Sequence, residues 1–212
     1  WYDHDSIREY ICNFIMSKLE TNQVDPATGT TLTLGTSGDT ISIPSGVTIA
    51  NSGTATGFGG DNTPAVSAYM GASQTPSDNV YAKIQYNTEL YDTDSAYDHS
   101  TNYRFTVPSG EAGKYFIYAA CYMFGNNNDE KYQAMSIYLN GSQVRRDDKS
   151  QQYGTSQSSG GVQSITGVLD LAVSDYIEIY GKIDVNSGTP SFYGDAAASN
   201  RYSVLEIFKL VE

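Results

Sequence analysis

The chain has 212 residues, a net charge of −12 and only 12 Lys and Arg residues, none of them between Lys18 and Lys83. Because phosphate contacts need clustered basic side chains, this charge excludes a nucleic-acid partner from our expectations. Without a stretch of about 18 apolar residues, no membrane insertion is expected. Two cysteines, Cys12 and Cys121, are too few for a disulfide scaffold and predict buried thiols.

Residues 1–20 predict a single helix. Ser6 and Glu9 have the spacing of a capping box, which satisfies free N–H groups at a helix start. Apolar side chains then recur at helical spacing, at Ile7, Ile11, Phe14, Ile15 and Leu19. A helix this short is marginal alone, so the stripe needs copies of itself in a bundle or a groove on another protein. We therefore interpret it as an anchoring or trimerising helix.

Residues 21–60 are rich in Thr, Ser, Gly and Asn, and their aliphatic residues alternate with polar ones. Three pairs result, and each pair would lie on one face of a very short strand: Leu32 and Leu34, Ile41 and Ile43, Val47 and Ile49. Burying six side chains cannot offset the backbone entropy of ordering this whole segment in one chain. The segment is therefore either a disordered linker or, where several copies share their apolar stripes, a thin β shaft.

Residues 61–212 show repeated strand patterns separated by turn residues, without a pattern of helix length. The predicted strands include Ala65–Met70, Val80–Tyr86, Tyr103–Val107, Gly113–Phe124, Ala134–Leu139, Gly161–Leu171, Tyr176–Lys182 and Tyr202–Leu210. Asn140-Gly141 is a strong hairpin signal. These features predict an all-β head, a jelly-roll β-sandwich large enough to bury its own core.

One predicted strand is apolar or aromatic on both faces, through Tyr115, Phe116, Ile117 and Tyr118. Such a strand is expected to be covered twice, by its own core and by a neighbour. Tyrosine suits this position because its ring is apolar and its hydroxyl forms hydrogen bonds. We therefore predict that Tyr115, Phe116 and Tyr118 lie in the core or in a trimer interface.

The segment from Tyr86 to Ala119 resembles the signature of the complement component one-q globular head, a family related to tumour necrosis factor. The matching residues are Tyr86, Asp92, Tyr97, Phe105 and Gly113-Lys114-Tyr115. Two gaps are longer than in that family, and Ile117 and Ala119 replace aromatic residues. Further along, Ser174 stands where the family has Gly. The resemblance implies a jelly-roll head that forms a tight homotrimer.

The segment Thr30–Gly57 resembles shaft repeats in fibre proteins of tailed bacteriophages. A helix, a shaft and a head in this order imply a structural virion protein, either a tail fibre or a capsid decoration (head fibre), assembled in the host cytoplasm. Its helix would contact other capsid or tail proteins, and its head would bind a host-surface glycan or protein. The alternatives are a free carbohydrate- or protein-binding trimeric module and a tail-fibre depolymerase.

No catalytic constellation is visible, so we expect a protein that is not an enzyme. Triad chemistry needs a positioned histidine, and the two histidines, His4 and His99, lie in polar segments. Phosphate-loop, dinucleotide and zinc-ligand patterns do not occur. The acidic run at Asp92, Asp94 and Asp98 is either solvated loop charge or a set of oxygen ligands for calcium, the one cofactor that this sequence suggests.

Overall fold

A computed structural model describes residues 24–50, 52, 62–127, 130–150, 160–197 and 201–210. The chain divides into two compact units, Trp1–Thr54 and Ala55–Glu212, which we describe separately. The described part contains no helix long and apolar enough to cross a membrane. The predicted helix and its stripe of Ile7, Ile11, Phe14, Ile15 and Leu19 lie outside the described residues, as does Cys12.

In the first unit, residues 24–50 form neither a helix nor a strand. Two turns interrupt them, closed by hydrogen bonds from Asp39 N to Thr36 O (3.0 Å) and from Val47 N to Pro44 O (3.2 Å). The six aliphatic side chains are 43–62% exposed, namely Leu32, Leu34, Ile41, Ile43, Val47 and Ile49. The short strands expected at these pairs are therefore not formed within one chain, because a single chain supplies no neighbouring strand to pair with.

The second unit contains thirteen described strands. Their bounds are β1 Ala65–Tyr69, β2 Ala72–Gln74, β3 Ala82–Lys83, β4 Thr88–Asp92, β5 Tyr97–Asp98, β6 Arg104–Thr106, β7 Gly113–Gly125, β8 Glu130–Leu139, β9 Ser142–Ser150, β10 Gly161–Leu171, β11 Tyr176–Val185, β12 Pro190–Asp195 and β13 Val204–Lys209. The predicted strand over 161–171 is reproduced to the residue, and the others agree within a few residues except the one over 80–86.

These strands form two antiparallel sheets. The larger sheet has seven strands in the order β2-β12-β7-β13-β1-β4, and β10 also pairs with β7. The smaller sheet has six strands in the order β5-β6-β11-β8-β9, with β3 also paired with β11. The predicted all-β sandwich is therefore confirmed.

Between the two sheets lies one apolar core. Strand β7 contributes Tyr115, Ile117, Ala119 and Cys121 to it, every one fully buried. The interpretation of Cys121 as a buried thiol is confirmed, and burial raises its pKa to about 12. A thiol in this state is almost entirely protonated at neutral pH, so it packs as a small apolar group.

The acidic segment that we expected to be a loop is partly strand. It begins in β4, which pairs with β1 and places Tyr91 opposite Ser67, and it ends in β5. Conversely, the strand expected over 80–86 is reduced to Ala82–Lys83. Both corrections have one reason: sheet pairing depends on what lies alongside a segment, and local composition does not contain that information.

Candidate functional site on the larger sheet

The outer face of the larger sheet, opposite the core, is covered by aromatic side chains. Alternation along β7 turns Phe116, Tyr118, Tyr122 and Phe124 outwards, where each is half-buried. We call the following set the aromatic face: Phe116, Tyr118, Tyr122, Phe124, Val162, Val168, Tyr193, Tyr202 and Phe208. Three of its members remain about half exposed, Val162 at 46%, Val168 at 49% and Tyr202 at 49%. Exposed apolar surface of this kind marks interaction sites on folded domains.

Strand register groups these rings into two clusters. In the first, Phe116 lies opposite Phe208 on β13, with ring centroids 5.1 Å apart. Val168 on β10 flanks Phe116 in the same row. The two rings pack against each other at this distance with their planes tilted by 34°, so the first cluster presents a preformed apolar surface.

The second cluster is centred on Tyr122. Its ring centroid lies 5.9 Å from Phe124, 5.9 Å from Tyr193 and 5.8 Å from Tyr202. Tyr193 is fixed in place because its hydroxyl donates to Asp195 Oδ2 at 2.8 Å. Each of the three tyrosine rings combines apolar area with a polar hydroxyl, which suits an interface that is packed yet partly hydrated.

A polar row separates the two clusters. Tyr118 lies opposite Glu206 on β13, and Glu206 lies opposite Ser67 on β1. The Ser67 hydroxyl donates to Glu206 Oε1 at 2.8 Å. Partial burial raises the pKa of the Glu206 carboxyl, because charge is harder to hold away from water. A carboxylate with a raised pKa thus lies in the middle of the aromatic face.

Two residues of this face, Phe116 and Tyr118, were predicted from the sequence to lie in the core or in an interface, and both face outwards. Tyr115, predicted with them, lies wholly in the core. Glu206 and Phe208 were not predicted. The alternation of Val204, Glu206 and Phe208 within the predicted closing strand contained the signal, but nothing in it shows which side faces the core.

The residues that carry the family resemblance support the fold rather than a binding site. The Tyr97 hydroxyl donates to Tyr86 O at 3.1 Å, and the Tyr86 hydroxyl donates to Ala120 O at 3.1 Å. The rings of Phe105 and Tyr115 pack 5.4 Å apart across the core. All four aromatic residues are buried, so the residues of the signature stabilise the packing of the two sheets.

The structure does not bring the three candidate calcium ligands together. The Asp92 carboxylate accepts backbone N–H groups from Ala96 at 3.0 Å and Tyr97 at 2.8 Å. The Asp98 carboxylate likewise accepts the N–H of Thr101 at 2.9 Å, and such bonds hold its pKa far below its usual range. Within the described ranges, no three His, Cys, Asp or Glu side chains are grouped to hold a metal ion.

Asp94 has a different environment. Its Oδ2 accepts the Thr93 hydroxyl at 2.6 Å, and the residue borders a depression of about 350 Å³. Arg104 lines the same depression, and its guanidinium stacks 4.5 Å from the centre of the Tyr176 ring. Nearby, His99 Nδ1 lies 2.6 Å from Glu89 Oε1 at the surface. This agrees with the interpretation of His99 as an exposed polar residue. The depression is therefore lined by residues of both charges.

No protein-family model and no curated protein matches the chain. Solved structures do match. The Eiger tumour necrosis factor of S. frugiperda aligns with 69% of this chain and 91% of its own, with 11% identity and a TM-score of 0.50. The fold is therefore a jelly roll of the tumour-necrosis-factor type. The globular domain of zebrafish complement 1qA aligns with 70% of this chain and 98% of its own, with 16% identity and a TM-score of 0.47.

At this identity the likeness extends to the fold alone. It confirms the jelly-roll part of the sequence-based resemblance. The virion context, the trimer and the anchoring helix stay predictions.

Proposed function

We propose that the protein is a homotrimeric binding module whose jelly rolls associate through the aromatic face. The observation that carries this proposal is a sheet covered by aromatic side chains on the side away from a complete core. Those rings are not needed to close the sandwich, because Tyr115, Ile117 and their neighbours already fill it. Three copies are proposed because the one-q and tumour-necrosis-factor resemblance implies a homotrimer.

The energetics support association. Joining free copies costs about 4–15 kcal/mol in translational and rotational freedom. Covering a large apolar side chain completely stabilises by about 1.5–3 kcal/mol, so each partly exposed side chain of the face contributes a fraction of this. Nine such residues on each copy together give a contribution of the same order as the cost.

The test is the mass of the full chain in solution, expected near 69 kDa for three copies of 23.0 kDa. Phe116→Ser with Phe208→Ser should lower this mass towards that of one copy, because it removes the first ring cluster. A matched control is Tyr138→Ser with Tyr180→Ser. This variant also removes two rings, which lie on the outer side of the smaller sheet with their centroids 4.3 Å from each other. Circular dichroism checks that both variants stay folded. A wild-type monomer at micromolar concentration, or an equal decrease in mass in both variants, would refute the proposal.

At a finer level we propose a structural virion protein, a trimeric fibre or capsid decoration of a tailed phage. Its support is the order of parts: a helical stripe in residues 1–20, a segment of low charge, then the jelly roll. In this arrangement the predicted helix would contact capsid or tail proteins, and the head would meet the host surface. Antibody labelling of intact particles under the electron microscope is the test, and absence of the protein from particles would refute this role.

The competing function is a free carbohydrate- or protein-binding module. The depression bordered by Asp94 and Arg104 favours it, since it offers opposite charges to one polar ligand. A glycan array distinguishes this function: binding lost in Arg104→Ala, without association with particles, would support it. We propose binding rather than catalysis, and cleavage of a polysaccharide that is abolished by Asp92→Asn or Asp94→Asn would instead indicate a depolymerase.

A further inference from the structure

Residues 31–54 are built from three consecutive repeats. The first is Thr-Leu-Thr-Leu-Gly-Thr-Ser-Gly-Asp (31–39), the second Thr-Ile-Ser-Ile-Pro-Ser-Gly-Val (40–47) and the third Thr-Ile-Ala-Asn-Ser-Gly-Thr (48–54). Each starts with Thr and an aliphatic residue and ends with Ser-Gly and one further residue. Short repeats of this kind belong to elements that become stable by stacking on neighbours, since one unit cannot bury its own apolar side.

The first two repeats adopt the same turn. Ser37-Gly38 and Ser45-Gly46 occupy the central positions of turns closed by the hydrogen bonds at Asp39 and Val47. Gly38 has φ 95° and Gly46 has φ 85°, the left-handed conformation that a type II turn needs at its third position. The turn is therefore encoded within each of these two repeats, and their equivalent residues have equivalent conformations.

Between the turns, aliphatic and hydroxyl side chains alternate. Thr33 separates Leu32 from Leu34, Ser42 separates Ile41 from Ile43, and Thr48 separates Val47 from Ile49. In extended backbone, alternate residues point to opposite sides. Each repeat thus has an aliphatic side and a hydroxyl side, and the structure of one chain leaves the aliphatic side exposed.

Charge favours copies of this chain as the partner. Between Pro26 and Ser52, Asp39 is the single charged residue of a protein whose net charge is −12. Its carboxylate accepts the N–H of Thr36 at 2.7 Å and the Thr36 hydroxyl at 2.9 Å, so it is held against its own turn. Identical segments can lie side by side here with little of the repulsion that the rest of the chain would exert.

We propose that the described part of the repeats, residues 31–50, is a second self-association element, in which copies of this chain pack in register with aliphatic sides inward and hydroxyl sides outward. The occupant of the exposed stripe is the same stripe of neighbouring copies. Packing in register lets each backbone find partners for its N–H and C=O groups, which one chain cannot supply. The number of copies, three, rests on the proposed homotrimer. The parity, by which we mean that aliphatic residues point inward and the hydroxyl residues between them point outward, does not rest on it.

The parity gives a sharp experiment in the full chain. Ile41→Cys and the adjacent Ser42→Cys are compared in a Cys12→Ser background, where the remaining native thiol, Cys121, is buried. Mild oxidation should cross-link copies of Ile41→Cys at least fivefold faster than copies of Ser42→Cys. Ile43→Cys should behave like Ile41→Cys. Equal cross-linking at both parities, or none at Ile41→Cys, overturns the proposal.

A second measurement separates this proposal from the association of the jelly rolls. In hydrogen–deuterium exchange of the wild type, amides of residues 31–50 should be protected when the chain is assembled and lose protection on dilution. A wild-type trimer with unprotected repeats and no parity refutes the repeat packing alone. Cross-linking restricted to the aliphatic positions, in a trimer that dissociates fully in Ile41→Ser with Ile43→Ser but keeps its mass and affinity in Phe116→Ser with Phe208→Ser, refutes the aromatic-face interface alone.

Discussion

Ser174 shows how one residue can be locally unfavourable and still fit the fold. It has φ 70° in the turn between β10 and β11, a conformation that costs a side chain about 1–2 kcal/mol relative to the right-handed region. The turn is stabilised by Asp175, whose carboxylate accepts the N–H of Ala172 at 2.8 Å and Asn140 Nδ2 at 2.7 Å. The resembled family has Gly at this position, and the backbone gives the physical reason.

We therefore expect Ser174→Gly to raise the free energy of unfolding. The gain is about 0.5–1 kcal/mol, because the relief of left-handed strain exceeds the extra unfolded-state entropy of glycine. Urea denaturation monitored by circular dichroism measures it. Gly141→Ala is the matched control: φ is 77° there, so this change should lower stability. A Ser174→Gly protein less stable than the wild type would contradict the expectation.

At the scale of elements, the β4–β5 connection explains the acidic run. Asp92 receives three backbone N–H groups, from Asp94 at 3.3 Å, Ala96 at 3.0 Å and Tyr97 at 2.8 Å. A carboxylate used in this way closes the turn and gives β5 its start. Acidic residues here thus have a structural task that does not require a metal.

This role predicts the effect of Asp92→Asn. Losing one charged acceptor of backbone N–H groups should lower the free energy of unfolding by about 1–2 kcal/mol, equally in calcium and in EDTA. Thermal unfolding in both buffers measures it, with Asp94→Asn as a control that should change stability less. If calcium instead raises the wild-type melting temperature and the Asp92→Asn protein does not respond, the calcium prediction is right.

For the whole molecule, we expect Glu206 to link the proposed assembly to pH. Its carboxyl lies among Tyr118, Ser67 and Tyr91, and burial already raises its pKa above the ordinary 4.5 within one copy. Covering the aromatic face removes more water and raises that pKa further. The charged form therefore opposes assembly, and the opposition is removed as pH falls through the raised pKa.

We expect the association constant to increase as pH is lowered from 7 towards 5, and Glu206→Gln to weaken this dependence while associating more tightly at pH 7. Analytical ultracentrifugation across this range measures both. Asp147→Asn removes the same charge from the exposed strand β9 and should leave the pH dependence close to that of the wild type. Equal pH dependence in Glu206→Gln and the wild type would refute the link.

Local patterns in the sequence were sufficient for much of the architecture. Strand β10 was predicted to the residue, because its ends are marked by glycine at Gly161 and by the turn after Leu171. Asn140-Gly141 marked the β8–β9 hairpin, where both residues have the positive φ that the turn needs. Signals of this kind act over a few residues, so they can be read without knowing the fold.

The tertiary structure alone decided which residues form the candidate site. Strand β7 is apolar on both sides, so only its packing in the sandwich shows that Tyr115 faces the core and Phe116 faces out. Strand β13 alternates, but its pairing is what brings Phe208 beside Phe116 and Glu206 beside Tyr118. Residues about 90 positions apart in the chain meet there, and alternation within one strand contains no information about its neighbours.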